Sequence, residues 1–302
     1  MENILKQITV IINGHAGAGH DDAMAGDLRA KFAANGMAAT IVLARDGKDL
    51  IAAARAAVAR GVPMVAGGGG DGTQNAVAAQ LVGTGIPYGV LPMGTLNHFA
   101  KDLGIPLDLD GAVRTIATGN PKQVDVGVVN EQVFLNNSSL GLYPDIVRDR
   151  EKQQSRLGRG KWPAALWATF AALRRYPFLS VRMQADDKRL ARRTPFVFIG
   201  NNEYTMEGLA IGARSRLDAG TLSLYVAQRP GRLGLLRFAV RALIGGLKEE
   251  RDFDVLLAQD MTIETRHKHL HVAFDGEVEK MTTPLRYRIR PGALTVMVPQ
   301  SV

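Results

Sequence analysis

The 302-residue sequence predicts an α/β domain with a parallel sheet, followed by a mainly antiparallel β-sandwich domain. In the first part, strands and helices alternate in the order β-α-β-α-β, which is typical of parallel sheets with crossover helices. In the second part, short strand patterns follow one another and helical periods are confined mostly to 162–176 and 232–247. We therefore predict domains over 1–123 and 124–289, with about 290–302 as a candidate to return to the first.

Buried strands and capped helices account for the first domain. The run Ile8–Ile12 consists entirely of β-branched residues, as in strands that are buried on both faces. Two further strands are predicted over 40–43 and 62–66. Asp21 or Asp22 can cap a first helix that Gly36 ends, and acids at 46 and 49 precede an alanine-rich helix that stops at residue 61.

Short strands dominate the second domain. Turn residues between brief β-branched or aromatic runs indicate an antiparallel sandwich or a barrel-like domain. The candidate strands are 124–129, 133–136, 194–199, 222–226, 261–265, 269–274 and 294–298.

Composition excludes several classes of function. The chain has no cysteine, which rules out disulfides, thiol catalysis, iron–sulfur clusters and zinc ribbons. We find no apolar run of the roughly 18 residues that a spanning helix needs, and the residues 1–10 do not resemble a signal peptide. We therefore expect a cytoplasmic protein.

Charge separates the two parts. Residues 1–124 are neutral, with ten basic and ten acidic residues, so the whole net charge of +8 lies in 125–302. Such a basic surface attracts phosphate-bearing partners, either nucleic acid or anionic lipid headgroups. The alternative interpretation is a basic surface that only keeps the protein soluble. Nucleic acid is disfavoured because the basic residues are not interleaved with aromatic ones.

A glycine-rich loop, Gly67–Thr73, joins a predicted strand to a predicted helix. Consecutive glycines let the backbone approach a ligand, and a helix N-terminus offers N–H groups to an anion. The loop lacks the Gly-Lys-Ser/Thr of a Walker A motif and the spaced glycines of a dinucleotide fingerprint. Because Asp71 lies inside this anion-binding loop, we infer a magnesium–nucleotide ligand.

Two further motifs complete a pattern. A second strand, 88–91, runs into Pro-Met-Gly-Thr-Leu-Asn-His-Phe-Ala at 92–100, and Asp275-Gly276-Glu277 follows a strand near the C-terminus. In order and spacing, these motifs and Gly-Gly-Gly-Asp-Gly-Thr at 68–73 resemble the diacylglycerol kinase catalytic domain family, and the bacterial soluble lipid kinases in particular. The resemblance covers essentially the whole chain. NAD kinases share the first loop but differ at the second.

The resemblance implies a Mg²⁺-dependent lipid kinase that binds ATP in a cleft between two domains. Asp275 would be the general base, Glu277 would orient it or join a magnesium network, and Asp71 would belong to that network. Asn97 would order the second loop. The remaining nucleotide-binding candidates are Asn13, Gly68, Gly69, Gly70, Gly72, Thr73, Gly94 and Thr95.

Two departures from the family pattern stand out. The first loop reads Asn13-Gly14-His15 without the usual proline. The pattern Asp-Asp-Gly, which carries a structural magnesium ligand, is here Asp218-Ala219-Gly220, so Asp218 is a weak candidate for a second metal. Three alternating histidines, His267, His269 and His271, are better explained by an exposed strand face than by a metal site.

The acceptor is expected to be diacylglycerol or a related lipid at a membrane surface. The stripe Trp162–Leu173 is either core or membrane-facing. Reversible, peripheral docking on anionic headgroups is predicted through Arg156, Arg159, Lys161, Arg174 and Arg175. A homodimer is left open, as are two other functions: a nucleotide-binding regulatory protein without transfer activity, and an NAD kinase-like enzyme.

Overall fold

The structure is a computed structural model, which describes residues 6–14, 22–141, 179–207, 210–227 and 253–300. The chain divides into two compact units. The first comprises 1–126, 216–220 and 290–302, and the second 127–215 and 221–289. The predicted helices over 162–176 and 232–247, and the stripe Trp162–Leu173, lie outside the described residues.

The first unit is the predicted parallel α/β domain. The strands are β1 (Lys6–Asn13), β2 (Met37–Ala44), β3 (Val65–Gly69) and β4 (Tyr88–Pro92). They run in the order β2, β1, β3, β4 and all pair in parallel. The helices are α1 (Asp22–Ala34), α2 (Gly47–Ala59), α3 (Asp71–Ala78), α4 (His98–Asp102) and α5 (Leu109–Thr118).

Local signals explain these elements. The β1 residues 10–12 are completely buried, as the apolar run predicts for a strand covered on both faces. Asp46 caps α2, because its Oδ1 accepts hydrogen bonds from the N–H groups of Lys48 and Asp49 at 2.8 and 2.9 Å. Gly36, with φ of 73°, follows the end of α1 in the left-handed conformation that favours glycine.

The second unit is an antiparallel sandwich, which confirms the predicted fold class. The remaining strands are β5 (Asn120–Val129), β6 (Gln132–Phe134), β7 (Asn137–Gly141), β8 (Leu179–Ala185), β9 (Lys188–Thr194), β10 (Phe196–Asn201), β11 (Tyr204–Glu207), β12 (Ala210–Arg214), β13 (Leu222–Ala227), β14 (Phe253–Ala258), β15 (Asp260–Thr265), β16 (His269–Phe274), β17 (Glu277–Thr282) and β18 (Leu285–Val298). One sheet has the order β14, β13, β10, β7, β16, β17. The facing layer has the order β18, β15, β8, β9.

The predicted strand 194–199 is wrong at its beginning. Thr194 ends β9, and Pro195, which has no N–H to donate to a ladder, separates it from β10. The last strand is also longer than predicted. It begins at Leu285, pairs with β15 through residues 285–288, and pairs with Tyr88 of β4 at Val296.

A buried carboxylate explains how distant segments join the first unit. Asp125 is 2% exposed, and its two oxygens accept the N–H groups of Gly220 and Gly292 at 2.7 and 2.9 Å. The Asp125 N–H donates to the carbonyl of Leu217 at 2.7 Å. These bonds attach the segments 216–220 and 290–302 to β5.

Candidate functional site

The first glycine loop connects β3 to α3 with very little space around its backbone. Gly67, Gly68 and Gly69 are buried. A Cβ atom on Gly69 would lie 2.5 Å from Thr73 Oγ1, so a side chain there would clash with the first turn of α3. The N-cap of α3 is Gly70, which has no side chain to accept the first-turn N–H groups. Those groups remain available to an anion.

The second loop packs directly on the first. The N–H of Met93 donates to the Gly69 carbonyl at 3.1 Å. A Cβ atom on Gly94 would lie 2.4 Å from the Cα atom of Gly70, so the close approach of the two loops requires glycine. Thr95, at the tip of the loop, is exposed.

Asn97 and Asp71 hold the second loop in place. Asn97 has a left-handed backbone with φ of 50°, and its side chain exchanges hydrogen bonds with the N–H and carbonyl of Gly94 at 3.0 and 2.8 Å. Asp71 Oδ1 accepts the N–H of Phe99 in α4 at 3.1 Å. Asp71 therefore has a structural contact besides its proposed magnesium role.

Asn13, at the end of β1, reaches the same loop. Its Nδ2 donates to Thr73 Oγ1 at 3.4 Å. The structure thus brings Asn13, the glycine loop and the second loop together in the first unit, while His15 lies outside the described residues.

Gln74 is a buried residue that sequence reasoning missed. Its Nε2 lies 3.0–3.1 Å from the carbonyl oxygens of Gly67, Gly69 and Leu91, and its Oε1 accepts the hydroxyl of Tyr88 at 2.6 Å. Burial raises the pKa of the Tyr88 hydroxyl, which keeps it a hydrogen-bond donor. The only sequence signal was a glutamine just after the glycine loop, on the buried side of a helix.

We expect Gln74→Leu to destabilise the first unit by about 3 kcal/mol, because several buried polar groups lose their partner. Urea denaturation measures this free energy of unfolding. Gln80→Leu is the matched control, since Gln80 is only half-buried, and it should change stability by less than about 0.5 kcal/mol. Equal midpoints for the two variants would contradict the role assigned to Gln74.

Asp275 lies in the second unit, in a tight turn between β16 and β17. Asp275 and Gly276 have φ of 46° and 89°, and Phe274 pairs with Glu277 across the turn. The backbone is therefore that of an ordinary two-residue Asp-Gly hairpin. The side chain is not ordinary, because Asp275 is only 7% exposed.

Three backbone N–H groups bind this buried carboxylate. Leu135 donates to Oδ2 at 2.6 Å, and Asn136 and Asn137 donate to Oδ1 at 2.8 and 3.1 Å. Burial nevertheless raises the pKa of Asp275 to about 6, against the opposing effects of these N–H groups and of the Arg214 charge. A carboxylate with such a pKa can exchange a proton near neutral pH.

Arg214 supports this segment and was also missed. Arg214 is 3% exposed, and its guanidinium donates to the carbonyls of Leu135 and Asn201 at 2.7 and 3.1 Å and to Asn136 Oδ1 at 2.8 Å. Asn201 Nδ2 donates to the Leu135 carbonyl at 2.8 Å. The sequence does contain a signal for these polar contacts, because it has two Asn-Asn pairs, at 136–137 and 201–202, each shortly after a phenylalanine. Arg214 bonds to the first asparagine of each pair.

Ser139 has a buried hydroxyl group. Ser139 is 2% exposed and its Oγ forms no hydrogen bond with any residue that the structure describes, whereas the neighbouring Ser138 bonds to the Tyr287 hydroxyl in the core at 3.1 Å. Since side chains alternate along a strand, Ser139 faces away from that core. It pairs with Ala273, two residues before Asp275.

Other predicted residues lie at the surface. Glu277 is exposed at the start of β17, and His98, His267, His269 and His271 are exposed too. Asp218 forms ion pairs with Arg216 at 3.0 Å and with Lys122 at 3.9 Å. Among the described residues, no three His, Asp or Glu side chains cluster as a metal site.

The residues of the first unit fit a nucleotide with its magnesium ion. The uncapped helix N-terminus and the glycine backbone suit phosphate groups. Asp71 Oδ2 forms no hydrogen bond with a described residue, so one carboxylate oxygen is available. Magnesium commonly takes one or two carboxylates and completes its coordination with phosphates and water.

These features define a kinase-type α/β domain combined with a β-sandwich domain. The family model for the diacylglycerol kinase catalytic domain matches residues 7–129, and the model for the YegS C-terminal NAD kinase beta sandwich-like domain matches 145–298. The chain therefore belongs to the diacylglycerol kinase family of lipid kinases, and it is an enzyme of that class.

Individual relatives agree with this assignment. A "Diacylglycerol kinase" from Mycobacterium tuberculosis is 27% identical over 98% of this chain and 96% of its own length. A "Probable lipid kinase YegS-like" from Chromohalobacter salexigens is 28% identical over 84% and 82%. An uncharacterised Synechocystis protein is 28% identical over 76% of this chain, which spans only 54% of that protein.

Solved structures show the same fold. A diacylglycerol kinase from Bacillus anthracis str. Sterne has a TM-score of 0.70 at 22% identity and covers 98% of this chain and 97% of its own. A second structure from that organism has a TM-score of 0.77 at 25% identity, with 99% of each chain covered. In the described part of this chain, none of the helices has the length and apolar character for crossing a membrane.

Proposed function

We propose that the protein transfers the γ-phosphate of ATP to a hydroxyl group of diacylglycerol or a related lipid, in a reaction that requires Mg²⁺. The observation that carries this proposal is Asp275, a buried carboxylate with a pKa of about 6 in a turn that would otherwise expose it. A structural turn needs no such burial, whereas a general base needs both a defined position and a tuned pKa.

The first unit supplies phosphate binding. In this proposal the N–H groups of Gly70 to Thr73 bind the nucleotide phosphates, and Thr95 contributes its hydroxyl. Asn13 and Asn97 keep the two loops in position through Thr73 and Gly94. Asp71 would hold the magnesium ion, which neutralises charge on the transferring phosphoryl group.

Asp275 performs the proton transfer. As the acceptor oxygen forms its bond to the γ-phosphorus, the proton of the acceptor hydroxyl moves to Asp275. The bond between the γ-phosphorus and the bridging oxygen breaks, and ADP leaves. Beyond this proton transfer, phosphoryl transfer requires mainly that the reacting groups are positioned and that the charge on the transferring phosphoryl group is stabilised. Arg214 acts indirectly, as a positioning residue for the backbone that holds Asp275.

In this proposal the Ser139 hydroxyl, which has no hydrogen-bond partner within the described part of the chain, gives the acceptor a polar contact near the base. We expect Ser139→Ala to raise KM for the lipid about fivefold, with kcat changed less, since one hydrogen bond is worth about 1 kcal/mol. Ser138→Ala is the control, because it loses a core hydrogen bond and should lower stability without altering KM. An unchanged KM in Ser139→Ala would exclude this contact.

The proposal is tested by turnover of labelled ATP against a panel of lipid acceptors in mixed micelles, with and without Mg²⁺. Diacylglycerol, ceramide and sphingosine belong in the panel, and NAD serves as a control. Phosphorylation of a lipid hydroxyl supports the proposal. Phosphorylation of NAD alone, or nucleotide binding without any transfer, would overturn it.

We further propose that the enzyme meets its acceptor at a membrane surface bearing anionic headgroups. The basic second part of the sequence supports this, as the net charge of +8 lies there. The residues first predicted to dock, Arg156, Arg159, Lys161, Arg174 and Arg175, lie outside the described residues.

A further inference from the structure

The outward face of four strands in the second unit carries an unusual arrangement of arginines. Val181, Met183 and Ile263 point into the core, so the alternate residues of β8 and β15 point outward. Strand register extends this face, because Gln184 pairs with Arg189 of β9 and Thr262 pairs with Arg286 of β18. We call this surface the arginine face.

Cations outnumber acids on the arginine face by three to one. The exposed cations are Arg182, Arg189, Arg193, Arg266, Arg286 and Arg288, and the exposed acids are Asp260 and Glu264. Arg288 forms an ion pair with Asp260 at 2.7 Å. Arg182, Arg189 and Arg286 take part in none of the ion pairs found among the described residues.

Small side chains leave hollows between these arginines. One hollow of about 370 Å³ is lined by Ser180, Arg182, Arg193 and Arg266, and a neighbouring one of about 450 Å³ by Arg182, Gln184, Arg189 and Thr262. Ala191 and Glu264 border both. An arginine presents several N–H donors in a fork that matches the oxygens of a phosphate group.

We propose that the arginine face docks the enzyme on anionic phospholipid headgroups of a bilayer. This inference rests on the proposed function, because only a bilayer-borne acceptor requires the enzyme to bind a membrane. The face complements a negatively charged surface in charge, and its short polar side chains insert nothing into the acyl region. Nucleic acid is the less suitable partner, since the face has no aromatic side chain for base stacking.

The measurement is co-sedimentation with phosphatidylcholine vesicles that contain or lack phosphatidylglycerol, at low and high salt. The full chain should bind only the anionic vesicles, and high salt should weaken the binding. The triple variant Arg182→Glu, Arg189→Glu, Arg286→Glu should lower the partition coefficient roughly 100-fold, at about fivefold for each basic residue removed.

A second triple variant controls for net charge. Arg29, Arg60 and Arg114 are exposed in the first unit, and their replacement by glutamate changes the total charge equally. This control should keep most of the vesicle binding. The docking proposal would be overturned if both triple variants lost vesicle binding equally, or if the triple variant of the arginine face bound vesicles as well as the wild type. Equal binding of the wild type to anionic and neutral vesicles would also overturn it.

Activity separates this inference from the proposed function. The triple variant of the arginine face should phosphorylate a short-chain, water-soluble diacylglycerol at the wild-type rate. It should lose activity on diacylglycerol in vesicles. If the wild type phosphorylates no lipid in either form, the proposed function fails, whereas vesicle binding still reports on the face. If this triple variant loses as much activity on the soluble acceptor as on vesicles, the arginine face is not a docking surface.

Discussion

Asp275→Asn should lower turnover at least 100-fold, an effect in the range of about 10²–10⁴ that a positioned general base contributes. The amide cannot accept the proton of the acceptor hydroxyl. Nucleotide affinity should be nearly unchanged, because the loops proposed to bind the phosphates belong to the first unit and Asp275 belongs to the second. Labelled-ATP turnover and equilibrium nucleotide binding measure the two quantities.

Asp186→Asn is a matched control for the backbone of that turn. Asp186 occupies the first position of the β8–β9 turn with φ of 46°, the same value as Asp275, and its Oδ1 accepts the N–H groups of Gln259 and Asp260 at 3.3 and 3.2 Å. Asp186 is exposed, however. Its variant should keep turnover within about twofold, and near-normal turnover in Asp275→Asn would rule out Asp275 as the base.

The raised pKa gives this prediction a pH signature. Only the ionised carboxylate can accept a proton, so wild-type turnover should rise with pH through about 6 and level off above it. The folded pKa lies above the unfolded value near 4, so burial favours the protonated form. Protonation of Asp275 therefore contributes roughly 3 kcal/mol to the free energy of unfolding. This contribution is fully present below about pH 4 and is lost as the pH rises through about 6.

Asp71→Ala should abolish magnesium-dependent turnover. The substitution removes the one carboxylate of the glycine loop and also the acceptor for the Phe99 N–H, which ties α4 to that loop. Magnesium titration of turnover and of nucleotide binding provides the measurement. Activity that survives in this variant would make Asp71 a turn residue only.

Asp71→Asn separates the two contributions. Its amide oxygen can still accept the Phe99 N–H, while the negative charge is lost. We therefore expect Asp71→Asn to fold with nearly wild-type stability in urea and still to require far more Mg²⁺ for any residual turnover. Normal magnesium dependence in Asp71→Asn would mean that Asp71 acts only through Phe99.

Local sequence features were sufficient for the fold class and for the loops. Apolar runs, helix caps and glycine turns act over a few residues, so the pattern around β1 and α2 predicted the elements correctly. The motifs at 68–73 and 92–100 likewise consist of adjacent residues whose geometry follows from glycine and from a helix N-terminus. The predicted strand 194–199 was wrong at its beginning because Thr194, a β-branched residue, ends β9, and Pro195 separates it from β10.

Long-range contacts, in contrast, were decided only by the tertiary structure. The carboxylate of Asp275 binds N–H groups 138–140 residues away, and Arg214 reaches Leu135 from 79 residues away. The backbone of the turn does not distinguish Asp275 from Asp186, because both residues have φ of 46°. The tertiary contacts distinguish them, because the N–H groups of residues 135–137 bind the buried Asp275 carboxylate, whereas Asp186 is exposed. By itself the sequence thus determined the family and the loops, whereas burial, which raises the pKa of Asp275, depends on packing across the whole second unit.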